Sequence, residues 1–449
     1  MRTRVGLALT AALVASGVIA VVASAADLSR IDEPAAGALA RATRFPELTT
    51  DVVTVYNSGP LDDSVSARAL VAAREAGGTG VVGRSASVGL VKIRRGGSIV
   101  QQPAAGFAYP MGTTVLPQAF VGPSMGASVS AAMTATKVVM SELTASLRGA
   151  RAGDVITLVG DAGNQVDYTI GAVVADAVTG GTEILMPPEA ADRIGLSRLS
   201  RIVMWGFDSR ASINSRLAAQ GLVSTSIRIR RSWDARDPDF TLGMAQTKKQ
   251  LGEFSYRVNA NGSVSQDAAW RANITSGSIG QLRLSSGCHK TVRISLQAAM
   301  NEVIASGLEY TINYSNANSA GGCYYPRFNR LTPNSRLGFL SRHSWGQAID
   351  TNTIGSCQGC APPDMHCGTV RIFRKHGFAW GGNFLTPDGM HFEWVGEQRD
   401  HLPYPSRFCP NPGSSALDDP SADDGFAPLP IEETGRATLF AHDGLDQAG

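Results

Sequence analysis

Two stretches toward the C-terminal end decide how this chain is read: Ser341-Arg342-His343-Ser344-Trp345-Gly346-Gln347-Ala348-Ile349-Asp350 and Asp388-Gly389-Met390-His391-Phe392-Glu393-Trp394. Histidine is scarce, with seven in 449 residues and six of them between positions 289 and 401, so two histidines that each have a carboxylate close by in sequence stand out. A hydrolytic zinc site needs three N or O ligands and one open position, and His343, Asp350 and His391 supply that set. Two neutral imidazoles and one carboxylate leave the ion a net positive charge, enough to acidify water and polarise a carbonyl. Asp388, three residues before His391, falls on a turn from which a carboxylate that is not a ligand takes the proton of an attacking water. Strand alternation puts Glu393 on the same face as His391, either orienting a ligand or as an exposed strand carboxylate. Each motif alone occurs by chance; the two together are far more specific.

SRHSWGQAID and PDGMHFEW match S-x-H-x-x-G-x-A-x-D and [E/D]-x-x-H. These are the two metal motifs of the zinc peptidase family that contains bacterial D-alanyl-D-alanine carboxypeptidases and phage and bacterial L-alanyl-D-glutamate endopeptidases. From about residue 245 to 400 the chain resembles that family, with GEFSYR, AAWRANI, GCHKTV, GGCYYPR and GFAWGGNF as further landmarks. The resemblance implies an α+β domain with helices packed on a small antiparallel sheet. It implies His343, Asp350 and His391 as ligands of Zn2+, and Asp388 as general base where many carboxypeptidases carry Glu. Arg327, in CYYPR, matches the arginine that holds the substrate and its developing oxyanion, a task suited to a planar, always charged guanidinium. Ser341 then either bonds the substrate or orients a ligand. The substrate class implied is the peptide of bacterial peptidoglycan, cut either by a carboxypeptidase or by an endopeptidase. The alternative is a non-catalytic wall-binding or envelope-sensor module that keeps the fold, against which the intact ligand set and Asp388 both argue. One departure is the insertion TNTIGSCQGCAPPDMHC after Asp350, which carries three cysteines near the site.

Composition sets the outer limits. With 40 Lys and Arg against 38 Asp and Glu, a net charge of +2 and 43% hydrophobic residues, the chain is globular and lacks the basic excess of a dedicated nucleic-acid binder. Arg2 and Arg4 precede an uncharged run over residues 5–26 that closes on Ala23-Ser24-Ala25, a pattern that fits a cleaved signal peptide or a retained membrane anchor. Either reading puts the body of the protein outside the cytoplasmic membrane. The six cysteines (Cys288, Cys323, Cys357, Cys360, Cys367, Cys409) all lie in the C-terminal half, and their even number in an exported chain reads as disulfides. Cys288 with Cys323 is the first pairing expected. A thiolate zinc site or redox pair is the competing reading for Cys357-Gln-Gly-Cys360 and Cys367.

The chain divides into four segments: 1–26 as signal or anchor, 27–238 as a β-rich accessory domain, 239–410 as the peptidase-like domain, and 411–449 as a tail. The tail has eight acidic residues against one Arg and reads as solvated and disordered. In the accessory domain VITLVG and VDYTIGAVVAD, separated by DAGNQ, form a hairpin, and EILMPPEAADRIG suggests a short helix. This part resembles, over about a quarter of its length, the extracytoplasmic domains of bacterial permeases of the lipoprotein-export type, and carries no function over. In the second domain Met244, Leu251 and Phe254 have helical spacing, and RISLQAAMNEVIASG places Leu296, Met300 and Val303 on one helical face before Gly307. LEYTIN reads as a strand and GTVRIFRKH as a helix closed by His376, whose charge suits the helix dipole. His289, His366, His376 and His401 have no partner pattern and are structural or surface residues.

Overall fold

The computed structural model of the chain describes residues 51–410 apart from 57–60, 161–162, 197–200, 223–226, 235–237, 316–321, 330–338, 385 and 401–405. The apolar segment 5–26, the acidic tail and His401 lie outside the described residues, among which no helix is long and apolar enough to cross a membrane. All described residues belong to one compact unit, 44–449. Helices and strands are mixed throughout, an α+β arrangement.

The N-terminal part is built on β-branched runs that favour extended backbone. Its strands are β1 (Val52–Tyr56), β2 (Thr79–Arg95), β3 (Ser98–Gln101), β4 (Tyr109–Val115), β5 (Lys137–Ser141), β6 (Val155–Val159), β7 (Gln165–Val174), β8 (Ile184–Met186), β9 (Arg201–Trp205) and β10 (Arg228–Arg231). The expected hairpin is β6 with β7, antiparallel, Val155 opposite Thr169. EILMPPEAADRIG is a strand followed by the helix Pro188–Arg193, not a helix throughout, because Pro187-Pro188 can start a helix but cannot continue one. The long β2 organises the whole. Its start pairs with β9, its middle with β4 and its end with β6. Because the pairing order runs β2, β4, β8, β5, β7, β6, the β2–β6 contact closes six strands into a barrel filled by residues such as Leu90, Met111, Met140, Leu158 and Ile170. On its other side β2 continues through β9 and β1 to β10, where helices Asp63–Glu75 and Arg210–Ala219 pack Ala69, Ala73, Ile213 and Leu217 against Val53 and Met204.

Downstream lie two hairpins, β11 (Tyr256–Val258) with β12 (Val264–Gln266) and β13 (Ile274–Ile279) with β14 (Leu282–His289). Beyond them is a three-stranded antiparallel sheet in the order β15 (Ala348–Asp350), β17 (His391–Trp394), β16 (Phe378–Trp380). Helix Lys290–Ala305 buries Leu296, Met300 and Val303 completely, as its spacing predicts. Helix Cys367–Lys375 sets Phe373 against Phe378 and Phe392 of the sheet, with ring centroids 5.6 and 4.5 Å apart. LEYTIN is not a strand. Leu308 N–H turns back onto the Val303 carbonyl and Thr311 Oγ1 onto that of Leu308, so the helix exit winds into the 3-10 turn Glu309–Thr311.

Three disulfides form, Cys288–Cys323, Cys357–Cys360 and Cys367–Cys409, and no described cysteine is free. Disulfide sulfurs are not thiolates, so the thiolate zinc site is set aside.

A buried charge quartet joins the barrel to the C-terminal part of the chain. Lys248, on helix Met244–Leu251, reaches Glu183 beside β8 at 2.7 Å and Glu253 at 3.0 Å, and Arg148 grips Glu253 from the barrel side. Glu183 also accepts from Gly112 N–H at 2.8 Å. Two cations and two anions so arranged satisfy each other, whereas any one left alone would be costly. An isolated bridge from Ala108 to Tyr256 adds main-chain pairing at the same junction.

Candidate active site

β15 ends at Asp350 and β17 begins at His391, and the register places these two directly opposite each other. The 3-10 turn Arg342–Trp345 delivers His343 to the same point. One potential ligand atom from each of His343, Asp350 and His391 lies within 4.8 Å of the others. Both histidines are buried and Asp350 is half-buried.

The contacts define how each ring is presented. His343 Nδ1 lies 3.1 Å from the Cys323 carbonyl, which only accepts, so Nδ1 carries the proton and the Nε2 lone pair is directed elsewhere. That Nε2 is 3.3 Å from Asp350 Oδ2, has no hydrogen-bond partner and is buried. His391 Nδ1 is 2.9 Å from Asp350 Oδ1, and its Nε2 faces Glu393 Oε2 at 3.7 Å. Burial alone would raise the Asp350 pKa, but the imidazoles of His343 and His391 outweigh it and hold the carboxyl well below its usual range. Burial alone would lower that of His391, yet the hydrogen bond to Asp350, the nearby Glu393 carboxylate and the charges of Asp350 and Asp388 push it up to about 10. The three groups thus form one strongly coupled cluster in which the Asp350 carboxylate faces both imidazoles.

Asp388 is 1% exposed, on the turn before β17, with its N–H donated to the Gly381 carbonyl at 2.8 Å and its own carbonyl accepting from His391 N–H at 3.1 Å. Gly381 is required here, because a Cβ would stand 2.4 Å from the Asp388 carbonyl oxygen and 3.1 Å from His391 Cβ. Glu393 is fully buried beside His391. Its Oε1 is 3.4 Å from Arg342 Nε and 3.3 Å from Gln347 Nε2. Arg342 in turn bonds the Leu242 carbonyl at 2.6 Å and Thr247 Oγ1 at 3.2 Å. Ser341 caps the turn, accepting from His343 N–H at 3.3 Å while its own N–H is donated to the Arg327 carbonyl at 2.9 Å. Arg327 is half-buried alongside, exchanging hydrogen bonds with Ser344 Oγ through its main chain. Its guanidinium bonds the Phe328 carbonyl at 3.4 Å and lies 5.9 Å from the Tyr325 ring centroid.

The sequence reading missed Arg342, Gln347 and the Cys323 carbonyl as supports of this cluster. Arg342 and Gln347 lie inside the first motif and were open to notice; a main-chain carbonyl leaves no signal in sequence.

Residues 335–394 match the family model of D-alanyl-D-alanine carboxypeptidases. This match supports a peptidase in the C-terminal part, and it covers both motifs. No curated protein matches the chain. Among solved structures, the periplasmic region of MacB from Actinobacillus actinomycetemcomitans is similar at 12% identity and a TM-score of 0.26, over 40% of this chain and 89% of that one.

Proposed function

We propose that the chain is a zinc peptidase that hydrolyses a peptide bond in the stem or cross-link of bacterial peptidoglycan, outside the cytoplasmic membrane. The observation that carries this reading is the convergence of His343, Asp350 and His391, with the buried Asp388 on the turn beside them. The donor set fits zinc: two imidazoles and one carboxylate, with one imidazole tautomer fixed by a main-chain carbonyl and its other nitrogen buried and unbonded. When bound there, the ion supplies a Lewis acid that acidifies water and polarises a carbonyl.

The remaining steps belong to the chain's own residues. Asp388, excluded from bulk solvent, takes the proton of the attacking water and returns it to the leaving amine. Arg327 holds the substrate carboxylate or the developing oxyanion with its guanidinium. Glu393, fixed by Arg342 and Gln347, stands beside the His391 ring. Three disulfides in an otherwise ordinary composition suit an oxidising compartment.

Elemental analysis of the purified protein with and without chelator, followed by mass spectrometry of digested peptidoglycan, tests the reading. About one zinc per chain and a product one D-alanine shorter, or cut within the stem peptide, is the expected result. An active protein that holds no metal, or a zinc protein that leaves peptidoglycan intact, overturns it.

A further inference from the structure

The insertion after Asp350 folds back onto the turn that carries Asp388. Gly359 N–H is donated to the Pro387 carbonyl at 2.6 Å, and Gln358 pairs with Asp388 in an isolated antiparallel bridge. Met390 N–H is donated to the Ser356 carbonyl at 2.9 Å, and Thr351 N–H to that of Met390, also at 2.9 Å. Ser356 is fixed from behind by its Oγ, which is donated to the Asp364 carbonyl at 2.7 Å. Contact is close enough that a Cβ on Gly389 would stand 2.4 Å from Pro363 Cβ. Asp388 is thus held on one side by Gly381 and on the other by residues 356–359.

This second support is a partly exposed segment outside helix and strand, and such segments open easily unless something closes them. The Cys357–Cys360 disulfide closes it, together with the Cys360 N–H bond to the Cys357 carbonyl at 3.0 Å. In the chain-entropy picture the stability a disulfide adds grows with the loop it closes. Cys288–Cys323 and Cys367–Cys409 span 35 and 42 residues, whereas Cys357–Cys360 spans only 3 and contributes least to holding the domain folded. Its effect is local, and the local structure is the turn of Asp388.

We propose that the loop closed by Cys357–Cys360 is a positioning element that sets the Asp388 carboxylate for proton transfer, a claim that rests on the reading of Asp388 as general base. A general base must lie within about 2.6–3.2 Å of the heavy atom whose proton it takes, and a displacement of order 1 Å costs on the order of 100-fold in rate. The loop therefore acts on kcat, with little effect on metal retention or on ground-state substrate binding.

The test compares the full chain with Cys357→Ser/Cys360→Ser, and with Gly359→Ala. The alanine leaves the cysteines intact and meets open space, but strains a residue at φ +83°. Three quantities are read: zinc per chain, kcat and KM on a peptidoglycan stem peptide, and hydrogen exchange at the Asp388 and Met390 amides. The double variant is expected to keep its zinc and its KM within about twofold, to lose about tenfold or more in kcat, and to exchange faster at Met390. Gly359→Ala is expected to move the same way by a smaller factor. A double variant with kcat within twofold of the parent overturns the proposal, and so does a loss of kcat that accompanies loss of zinc. If the parent cleaves no peptidoglycan peptide, the peptidase reading fails separately. Amide exchange then decides alone, unchanged protection at Asp388 and Met390 counting against the loop and lost protection for it.

Discussion

The main-chain carbonyl of Cys323 accepts a hydrogen bond from Nδ1 of His343 at 3.1 Å. Cys323 is bonded to Cys288 at the end of β14, so the tautomer of a candidate metal ligand is set by an atom that a disulfide holds in place. Tyr325 N–H, donated to the His343 carbonyl at 2.9 Å, fastens the same segment to the same turn two residues later.

If the cluster holds zinc as proposed, Cys288→Ser/Cys323→Ser should weaken its binding without touching any of the three candidate ligands. Loss of an outer partner typically costs 10- to 100-fold in metal affinity. Opening a loop of 35 residues costs stability of about 3–4 kcal/mol. Chelator competition and urea unfolding measure the two effects separately. Unchanged zinc affinity in a folded double variant would show that the carbonyl stays in place without the disulfide.

Arg342 is the counter-charge of the fully buried Glu393, which stands against His391. Arg342→Met should therefore destabilise the protein by about 3–5 kcal/mol, because it leaves a buried carboxylate without its cation. Arg342→Met combined with Glu393→Gln should recover much of that loss. Thermal unfolding of the two variants and their parent checks the order; a single variant no less stable than the double would contradict it.

His289 makes the domain sensitive to acid. It accepts from Thr291 N–H at 3.2 Å as the cap of helix Lys290–Ala305 and stacks on Trp270 at 5.6 Å. Burial lowers its pKa to about 4, from an unfolded value of 6.5. The unfolded chain binds the proton first, so stability is full above pH 6.5 and falls as the pH drops toward 4. The loss reaches about 3 kcal/mol once both states are protonated. His289→Asn keeps a capping acceptor and removes the titration. Urea unfolding at pH 7 and pH 4.5 should show a smaller difference for the variant than for the parent.

How much of this was legible in the sequence depended on how local the determinant was. The spacing of Leu296, Met300 and Val303 marks a helical face whatever surrounds it, and both histidine motifs bring their own turns and strands. Closure of the barrel rests on Leu90 meeting Leu158, far apart in the chain, which no short-range pattern encodes. LEYTIN has strand-like composition, but it leaves a helix at Gly307, and the capping bonds of Leu308 and Thr311 override that preference. The quartet of Lys248, Glu183, Glu253 and Arg148 was invisible for the same reason as the barrel: each charge looks solvated until the fold supplies its partner.

The sharpest division within the site is between Asp388 and the three groups that converge beside it. Asp388→Asn preserves the shape of the side chain and its main-chain bonds to Gly381 and His391, but an amide cannot accept a proton from water. Zinc content should stay at the parental level while hydrolysis falls by about 100- to 10,000-fold, the usual worth of a general base. Asp350→Ala should differ in kind, since it removes a carboxylate that both His343 and His391 face, and metal and activity should disappear together. Arg327→Ala should fall between the two, with zinc retained and turnover reduced through a less stabilised oxyanion. Zinc analysis and initial rates on a stem peptide for the three variants read this order directly. If Asp388→Asn cleaves at the parental rate, proton transfer runs through another group, and Glu393, 3.7 Å from His391, is the next carboxylate to replace.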